Sequence, residues 1–308
     1  MEIKSSADFV LMTRAALAAA GFARREVDGT VYFDSATPHP AFGHPLPAVA
    51  GRGALATRVR REPSPRARGE GARRADEGGL LSDKSTVVLV HGVNDHAGTW
   101  FLTAPALART HRVIIPDLPG HGESEPKEGP LPISLMVARL HGVVRASGAP
   151  VTLVGNSLGG WIAMLYTLVH PERVARLILE SAGGLARPIP SPMVARNRDE
   201  AMIILRNVHG PRFQPQEWVI DALLQRATSS PILRVTELME HAVDARLGEI
   251  GVPTAVVWGA DDGVVPRSYA EALQRGIAHA TLHVIEDAAH IPHMQQPERF
   301  LACLNSIS

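Results

Sequence analysis

The stretch Val151-Thr-Leu-Val-Gly-Asn-Ser-Leu-Gly-Gly160 predicts a strand, a tight turn and a helix in immediate succession. Its first four residues form an apolar strand-like run, and the apolar residues 161–169 after it are typical of a buried helix. Between them lies a G-x-S-x-G pattern, in the strand-turn-helix context that gives this pattern its meaning. Gly155 and Gly159 leave room where a Cβ would collide with neighbouring backbone, so Ser157 can occupy a strained turn with its hydroxyl directed outward. The stretch therefore makes Ser157 a candidate nucleophile.

Length and composition fit one large α/β domain that carries an inserted subdomain. The chain has 308 residues, of which 45% are hydrophobic, enough to bury a large core. The 31 basic residues balance the 31 acidic ones, so net charge gives no reason to expect nucleic acid as a partner. The single cysteine, Cys303, excludes an intramolecular disulfide and is compatible with the cytosol.

The amino-terminal residues 9–22 form the longest signal-peptide-like run, but they lack the features of an export signal. Arg14 interrupts the run, no basic region precedes it, and no convincing cleavage site follows it. Elsewhere no apolar run approaches the length needed to span a bilayer. We therefore expect a short amphipathic helix, no stable membrane insertion and a cytoplasmic location.

Two short strand-like runs, at 22–27 and 30–35, are separated by Asp28-Gly29. This pair tolerates the positive φ values that a two-residue hairpin turn requires. The sequence therefore predicts that the fold opens with an antiparallel hairpin.

Residues 36–82 differ sharply in composition from the rest of the chain. They are rich in Pro, Gly, Arg and Ala, without periodicity and with few large apolar side chains. Such a segment cannot offset the entropy of ordering its backbone, which indicates a disordered or loosely attached insertion. A nucleic-acid-binding arm is the alternative, but no aromatic residues interleave the arginines and the rest of the protein is neutral.

From residue 85 onward strands alternate with helices, which indicates a mostly parallel twisted sheet with helices on both faces. Strands are predicted at 85–92, 112–117, 151–154, 175–179, 254–258 and 280–285, and helices at 134–147, 161–169, 269–276 and 297–307. The alternation breaks from 183 to about 248, where we predict an inserted helical layer without strands. Its helical stretches are predicted at 198–208, 215–228 and 232–243.

Later strands offer the two partners that a serine nucleophile needs. Serine is a weak nucleophile at neutral pH and needs a base, usually histidine, which a carboxylate orients. Asp261 and Asp262 follow the strand at 254–258, and His290 follows the strand at 280–285. The N–H groups of Val93 and Leu158 could then stabilise the oxyanion of a tetrahedral intermediate.

The chain resembles the α/β-hydrolase superfamily, particularly its lid-bearing bacterial serine hydrolases. The matching pieces are His91-Gly92, Asp117-Leu-Pro-Gly-His-Gly-Glu-Ser124, Gly155-Asn-Ser-Leu-Gly-Gly160, His170-Pro-Glu-Arg-Val174, Trp258-Gly-Ala-Asp-Asp262 with Pro266, and His290 followed by Gln296-Pro-Glu298. This resemblance implies carboxylesterase, lipase or carbon–carbon bond hydrolase activity. It also selects Asp262 over Asp261 as the acid, because the family's acid stands three residues after the glycine of the Trp-Gly pair.

The resemblance also implies how the chain is divided. Residues 1–35 would form the first part of the core, 83–184 and 248–308 the remainder, 185–247 a helical cap, and 36–82 an insertion at the sheet edge opposite the catalytic loops. One departure from the family pattern is Ala289, where glycine often precedes the catalytic histidine.

Other residues have roles that compete with simple packing. His91 and Gly92 are expected to brace the oxyanion turn, and Asp117 and His121 to order their own loop. Glu180 is a second candidate for the acid, because some hydrolases place theirs at that strand end. The histidines lack metal-ligand spacing, the loop 118–122 lacks the lysine of a phosphate-binding loop, and no dinucleotide fingerprint is present. We therefore expect neither a metal nor a cofactor.

Taken together, the residues favour a serine hydrolase that cleaves carboxylic esters of small molecules through an acyl-enzyme. Carbon–carbon bond hydrolysis of meta-cleavage products would use the same three residues, Ser157, Asp262 and His290. A ligand-binding protein of the same fold without catalysis is the alternative from another class, and it has no physical need for an intact triad.

Overall fold

Eight strands form one sheet, in the spatial order β1-β2-β4-β3-β6-β7-β9-β10. The computed structural model describes residues 5–35 and 84–305, so the predicted insertion at 36–82 lies outside the described residues. The strands are β1 (Ala23–Val27), β2 (Thr30–Asp34), β3 (Thr86–Val90), β4 (Arg112–Pro116), β5 (Leu131–Pro132), β6 (Val151–Asn156), β7 (Val174–Glu180), β8 (Val235–Thr236), β9 (Thr254–Gly259) and β10 (Thr281–Ile285). The helices are α1 (Ser6–Ala19), α2 (Ala104–Leu107), α3 (Ile133–Arg145), α4 (Leu158–Val169), α5 (Arg198–His209), α6 (Glu217–Gln225), α7 (Arg267–Gly276), α8 (Pro292–Gln295) and α9 (Pro297–Asn305).

The predicted amino-terminal hairpin is confirmed. β1 and β2 pair antiparallel, with Val27 opposite Thr30 across a two-residue turn. Asp28 and Gly29 have φ values of 48° and 72°, the left-handed backbone that the Asp-Gly pair tolerates. Since β2 also pairs antiparallel with β4, the hairpin extends the edge of the parallel sheet.

Six strands, β3, β4, β6, β7, β9 and β10, run parallel, so their carboxyl ends share one edge of the sheet. The described residues that flank 36–83 lie at the opposite end of the parallel strands, where these strands begin. The Ser35 N–H donates to the Val113 carbonyl at 3.0 Å, and the Arg112 N–H donates to the Ser85 carbonyl at 3.1 Å. Both attachment points therefore adjoin the amino end of β4, away from the strand ends that precede Ser157 and His290.

Helices cover both faces of the sheet, as predicted, and bury two apolar layers. One layer packs α3, α4 and α7 on the sheet through Met136, Leu140, Ile162, Tyr166, Tyr269 and Leu273. The other contains Leu17 of α1, Phe300 and Leu304 of α9, and Trp100. Among the described helices, none is long and apolar enough to cross a bilayer.

The insertion between β7 and β9 contains α5 and α6 close to their predicted bounds, but the helix predicted at 232–243 is wrong. A short 3₁₀ turn at Pro231–Arg234 leads instead into β8, so the prediction of an insertion without strands is also wrong. Val235 pairs with Leu131 of β5. The Arg234 guanidinium donates to three carbonyls of residues 126–129. These tertiary contacts hold the segment extended, against its helical periodicity.

Candidate active site

Ser157 lies in the turn between β6 and α4, at the carboxyl edge of the sheet. Its φ of 53° and ψ of −115° place a non-glycine residue in a strained backbone conformation. The turn is held by hydrogen bonds on both sides of the residue. Its N–H donates to the Glu180 carbonyl at 2.9 Å, and its carbonyl accepts from the Trp161 and Gly183 N–H groups at 3.2 Å. Ser157 borders a cavity.

The two glycines of the G-x-S-x-G pattern allow close backbone contacts at this turn. A Cβ on Gly155 would lie 2.4 Å from the Gly159 carbonyl oxygen. A Cβ on Gly159 would lie 2.4 Å from the carbonyl oxygen of Val90 at the end of β3. Neither obstacle is a flexible side chain, so the backbone itself would have to move. The steric reason predicted from the sequence for these glycines therefore matches the observed packing.

We expect Gly155→Ala to lower the free energy of unfolding by at least about 3 kcal/mol, because the added methyl overlaps backbone atoms that cannot move aside. Urea denaturation of the purified variant would measure this change. Gly251→Ala is the matched control, since no atom lies within 4 Å of its added Cβ; its effect should stay below about 0.5 kcal/mol. Equal effects at the two glycines would contradict the steric explanation.

His290 and Asp262 form the side-chain pair that the sequence predicted. The His290 Nδ1 lies 3.1 Å from both carboxylate oxygens of Asp262, and both side chains are buried. Oδ1 of Asp262 also accepts the N–H groups of Val264 and Val265 at 2.9 and 3.0 Å, which orients the carboxylate. The side chain of Asp261 is exposed, and its N–H donates to the Ala288 carbonyl. The structure thus brings Asp262, and not Asp261, to the histidine.

The main chain of His290 is anchored from two sides that the sequence did not reveal. Its N–H donates to the Val208 carbonyl of α5 at 3.1 Å, and its carbonyl accepts from Nδ2 of Asn156 at 3.0 Å. Asn156 is the variable residue before Ser157, where the motif carries no preference that signals this role. The α5 contact could not be read from the sequence, because it joins residues 82 positions apart.

Among the hydrogen bonds of the described residues, none joins the Ser157 hydroxyl to His290. Both side chains nevertheless border the same cavity. The serine turn and the histidine–aspartate pair therefore lie around one cavity, without a hydrogen bond between Ser157 and His290 among the described residues.

Glu180, the second candidate for the acid, contacts a different histidine. Its carboxylate accepts from the His293 N–H at 2.7 Å and lies 2.8 Å from Nδ1 of His293, and both side chains are fully buried. The other ring nitrogen of His293 is 3.0 Å from the Thr99 hydroxyl. Glu180 therefore ties the segment that follows His290 to the strand end beside Ser157. The ring of His293 packs against Trp100, with 4.1 Å between the ring centroids.

His91 bridges the loops after β3 and β4. Its Nε2 accepts the Leu118 N–H at 2.9 Å, so the neutral ring carries its proton on Nδ1, which donates to the Gly92 carbonyl at 2.7 Å. A Cβ on Gly92 would lie 3.2 Å from the Ser157 Cβ, so this turn passes directly beside the serine. Val93 follows it and borders the cavity. Leu158 begins α4, where the N–H has no partner within the helix.

Asp117 and His121 order their own loop, as predicted. Asp117 accepts the N–H groups of Ala97 and Glu123 at 2.6 and 2.8 Å. Nδ1 of His121 lies 2.9 Å from the Pro119 carbonyl, and burial lowers the pKa of His121 to about 3.

Within residues 5–35 and 84–305, no group of three or more His, Cys, Asp or Glu side chains could hold a metal ion.

A cavity of about 260 Å³ opens in front of Ser157 and His290. Its walls are mainly apolar: Pro192, Met193, Ile204, Leu205, Val208, Leu223, Val264 and Ile291. Two ionisable side chains outside the predicted site also border it, Asp95 and His209. Burial lowers the pKa of His209 to about 4, so its imidazole is neutral near pH 7. The sequence did not single out either residue, since α5 brings His209 to the cavity only in the folded chain.

A mostly parallel sheet, a serine in a strained strand-to-helix turn, and a histidine–aspartate pair at the same sheet edge define the α/β-hydrolase class of fold. A family model described as the alpha/beta hydrolase family matches residues 87–302. The chain therefore belongs to the alpha/beta hydrolase family.

The chain is also similar to curated proteins and solved structures that carry the names of hydrolases. The chain is 26% identical over 250 residues to monoacylglycerol lipase abhd6-B of Xenopus laevis, covering 72% of this chain and 74% of the relative. It is 30% identical over 241 residues to 2-hydroxy-6-oxo-6-phenylhexa-2,4-dienoate hydrolase of Burkholderia cepacia, covering 70% and 84%. A membrane phospholipase A matches in fold with a TM-score of 0.70 at 20% identity, covering 97% of this chain and 91% of that one.

Proposed function

We propose that this protein is a serine hydrolase that cleaves carboxylic esters through an acyl-enzyme intermediate. The observation that carries the proposal is the arrangement of Ser157 in a strained turn and of His290, held by Asp262, around one cavity. The name of one relative, a monoacylglycerol lipase, supports an ester as the substrate. We also propose that residues 185–247 act as the cap, since α5 and residues 191–193 before it supply much of the cavity wall.

In this proposal the Ser157 hydroxyl attacks the ester carbonyl carbon while Nε2 of His290 takes its proton. Asp262 holds Nδ1 protonated and stabilises the imidazolium that forms. The N–H groups of Val93 and Leu158 donate to the oxyanion. His290 then returns the proton to the leaving alcohol, and water hydrolyses the acyl-enzyme with the same histidine as base.

A second candidate is carbon–carbon bond hydrolysis, which the 30% identity to a dienoate hydrolase favours. The charge of the cavity favours the ester instead. A dienoate carries a carboxylate, and the described residues that border the cavity include Asp95 but neither Lys nor Arg. An anionic substrate would therefore meet a like charge in a largely apolar space, where such repulsion is weakly screened.

Active-site labelling separates catalysis from simple binding, and paired substrates separate the two reactions. We expect a fluorophosphonate probe to modify Ser157, detected by mass spectrometry, because the turn and the base make its hydroxyl reactive. We also expect kcat/KM for p-nitrophenyl butyrate to exceed that for the dienoate by at least about tenfold. No labelling would favour a binding protein, and faster turnover of the dienoate would favour the carbon–carbon bond hydrolase.

A further inference from the structure

Asp95 and His209 are, besides His290, the ionisable side chains among the described residues that border the mainly apolar cavity. Asp95 lies in the turn after β3, two residues beyond Val93, and His209 ends α5. Both border the cavity together with Ser157 and His290. The negative charge of Asp95 acts on His209 and favours its protonated form, although burial outweighs this effect and lowers the pKa of the imidazole. Neither residue has a role in the proposed proton transfers.

Both side chains are held in place and keep polar atoms without partners. Oδ1 of Asp95 accepts the His96 N–H at 2.8 Å. Among the described residues, Oδ2 has no hydrogen-bond partner. The His209 ring stacks on Phe213 with 4.3 Å between centroids and an interplanar angle of 24°. Its carbonyl accepts from Nε2 of Gln295 at 2.8 Å. No hydrogen bond to either ring nitrogen occurs within the part of the chain that the structure describes.

These atoms define what a ligand must supply. A neutral imidazole offers one N–H donor and one nitrogen acceptor, while a carboxylate offers acceptors alone. A hydroxyl group matches both residues, because it can donate to Asp95 and accept from His209. An ammonium group can donate to Asp95 but cannot accept the ring N–H of His209. A carboxylate has no hydrogen to donate to Asp95, and its negative charge is repelled by that of Asp95. His209 also forms part of the wall of a second, smaller cavity of about 80 Å³.

We propose that Asp95 and His209 form a specificity subsite for a hydroxyl group of the substrate, so that the enzyme prefers uncharged hydroxy esters. This inference rests on the proposed ester hydrolysis at Ser157 and adds the class of ester. The apolar walls then contact the hydrocarbon part of the substrate, while the polar pair binds its hydroxyl. Burying a hydroxyl in such a cavity is unfavourable unless it finds partners, so the pair both permits and selects this group.

Matched substrates of nearly equal size test the subsite. Hydroxyethyl butyrate and propyl butyrate differ by a hydroxyl on the alcohol side, and propyl esters of ω-hydroxyhexanoate and heptanoate differ by one on the acyl side. We expect wild-type kcat/KM to be higher for the hydroxy ester in at least one pair by about tenfold, the effect of one buried hydrogen bond. No preference in either pair would overturn the proposal. Faster turnover of aminoethyl butyrate than of hydroxyethyl butyrate would overturn the choice of a hydroxyl.

Two variants assign the preference to the named residues. His209→Phe keeps the ring stacked on Phe213 and removes both ring nitrogens, and Asp95→Asn keeps the acceptor for the His96 N–H and removes the charge. Each should reduce the hydroxy-to-alkyl ratio of kcat/KM by about tenfold. His111→Phe, outside the residues that border the cavity, should leave the ratio as in the wild type. A ratio that survives His209→Phe, or that falls equally in His111→Phe, would overturn the subsite.

Failure of this inference is distinguishable from failure of the proposed function. If the wild type hydrolyses propyl butyrate and its Ser157 is labelled, but hydroxy esters gain nothing, only the subsite is wrong. If no ester is hydrolysed and Ser157 is not labelled, the proposed ester hydrolase itself is wrong, and the subsite is wrong with it.

Discussion

Ser157→Ala is expected to reduce kcat for p-nitrophenyl butyrate by about 10⁴-fold or more, the loss seen when a serine nucleophile is removed. Alanine cannot form the acyl-enzyme, so only the weak catalysis by the remaining groups would persist. Steady-state kinetics would measure the loss, and circular dichroism would check that the fold is retained. The side chain is small and its hydroxyl makes no hydrogen bond among the described residues, so we expect the variant to fold normally.

Ser181 provides a matched control for this substitution. It also follows a strand at the carboxyl edge of the sheet, is buried and has a positive φ of 47°. Its hydroxyl has no hydrogen-bond partner among the described residues. Ser181→Ala should therefore keep kcat within a few-fold of the wild type, by the small effects typical of sites without special contacts. Similar losses at both serines would argue against a nucleophilic role for Ser157.

Asp262→Asn is expected to lower kcat by about 10³- to 10⁴-fold, because an amide no longer holds the histidine in the tautomer that can accept the serine proton. The structure places both carboxylate oxygens 3.1 Å from Nδ1 of His290. An asparagine keeps one oxygen to accept the Val264 and Val265 N–H groups, so the loop geometry should survive. Kinetics with the same ester, compared with the wild type, would measure the loss.

Asp261→Asn is the control, because the side chain of Asp261 is exposed. The substitution also preserves the backbone N–H of this residue, which donates to the Ala288 carbonyl. Its kcat should remain within a few-fold of the wild type. A larger loss for Asp261→Asn than for Asp262→Asn would reverse the assignment of the acid. Because both variants remove one negative charge from adjacent positions, a general electrostatic effect would lower both activities alike.

Much of the fold could be predicted because local patterns and tertiary packing agree. The run at β3 is β-branched except at Leu89, as expected for a strand buried on both faces, and it is buried along its length. Asp28-Gly29 favours a hairpin by its backbone preferences alone. The helix predicted at 232–243 failed because its local periodicity competed with long-range contacts of Arg234 and Val235, which a periodicity argument cannot include.

The candidate site divides in the same way. Short motifs at strand ends identified Ser157 and His290 and left two adjacent aspartates as candidates for the acid. The resemblance to a known family then selected Asp262. The anchoring of His290 by Asn156 and Val208, and the presence of His209 in the cavity, join segments far apart in the sequence. No local spacing encodes such contacts.

By itself, the sequence determined the α/β class, the strained serine turn and the three groups expected at the carboxyl edge of the sheet. These features depend on glycines, β-branched runs and residues placed directly after strands, which act over a few positions of the chain. The tertiary structure alone decided that Glu180, the second candidate for the acid, meets His293 and not His290, and that Asp95 and His209 share the cavity. The physical reason is that partner choice and cavity polarity depend on distances between side chains that only the packed sheet and insertion set.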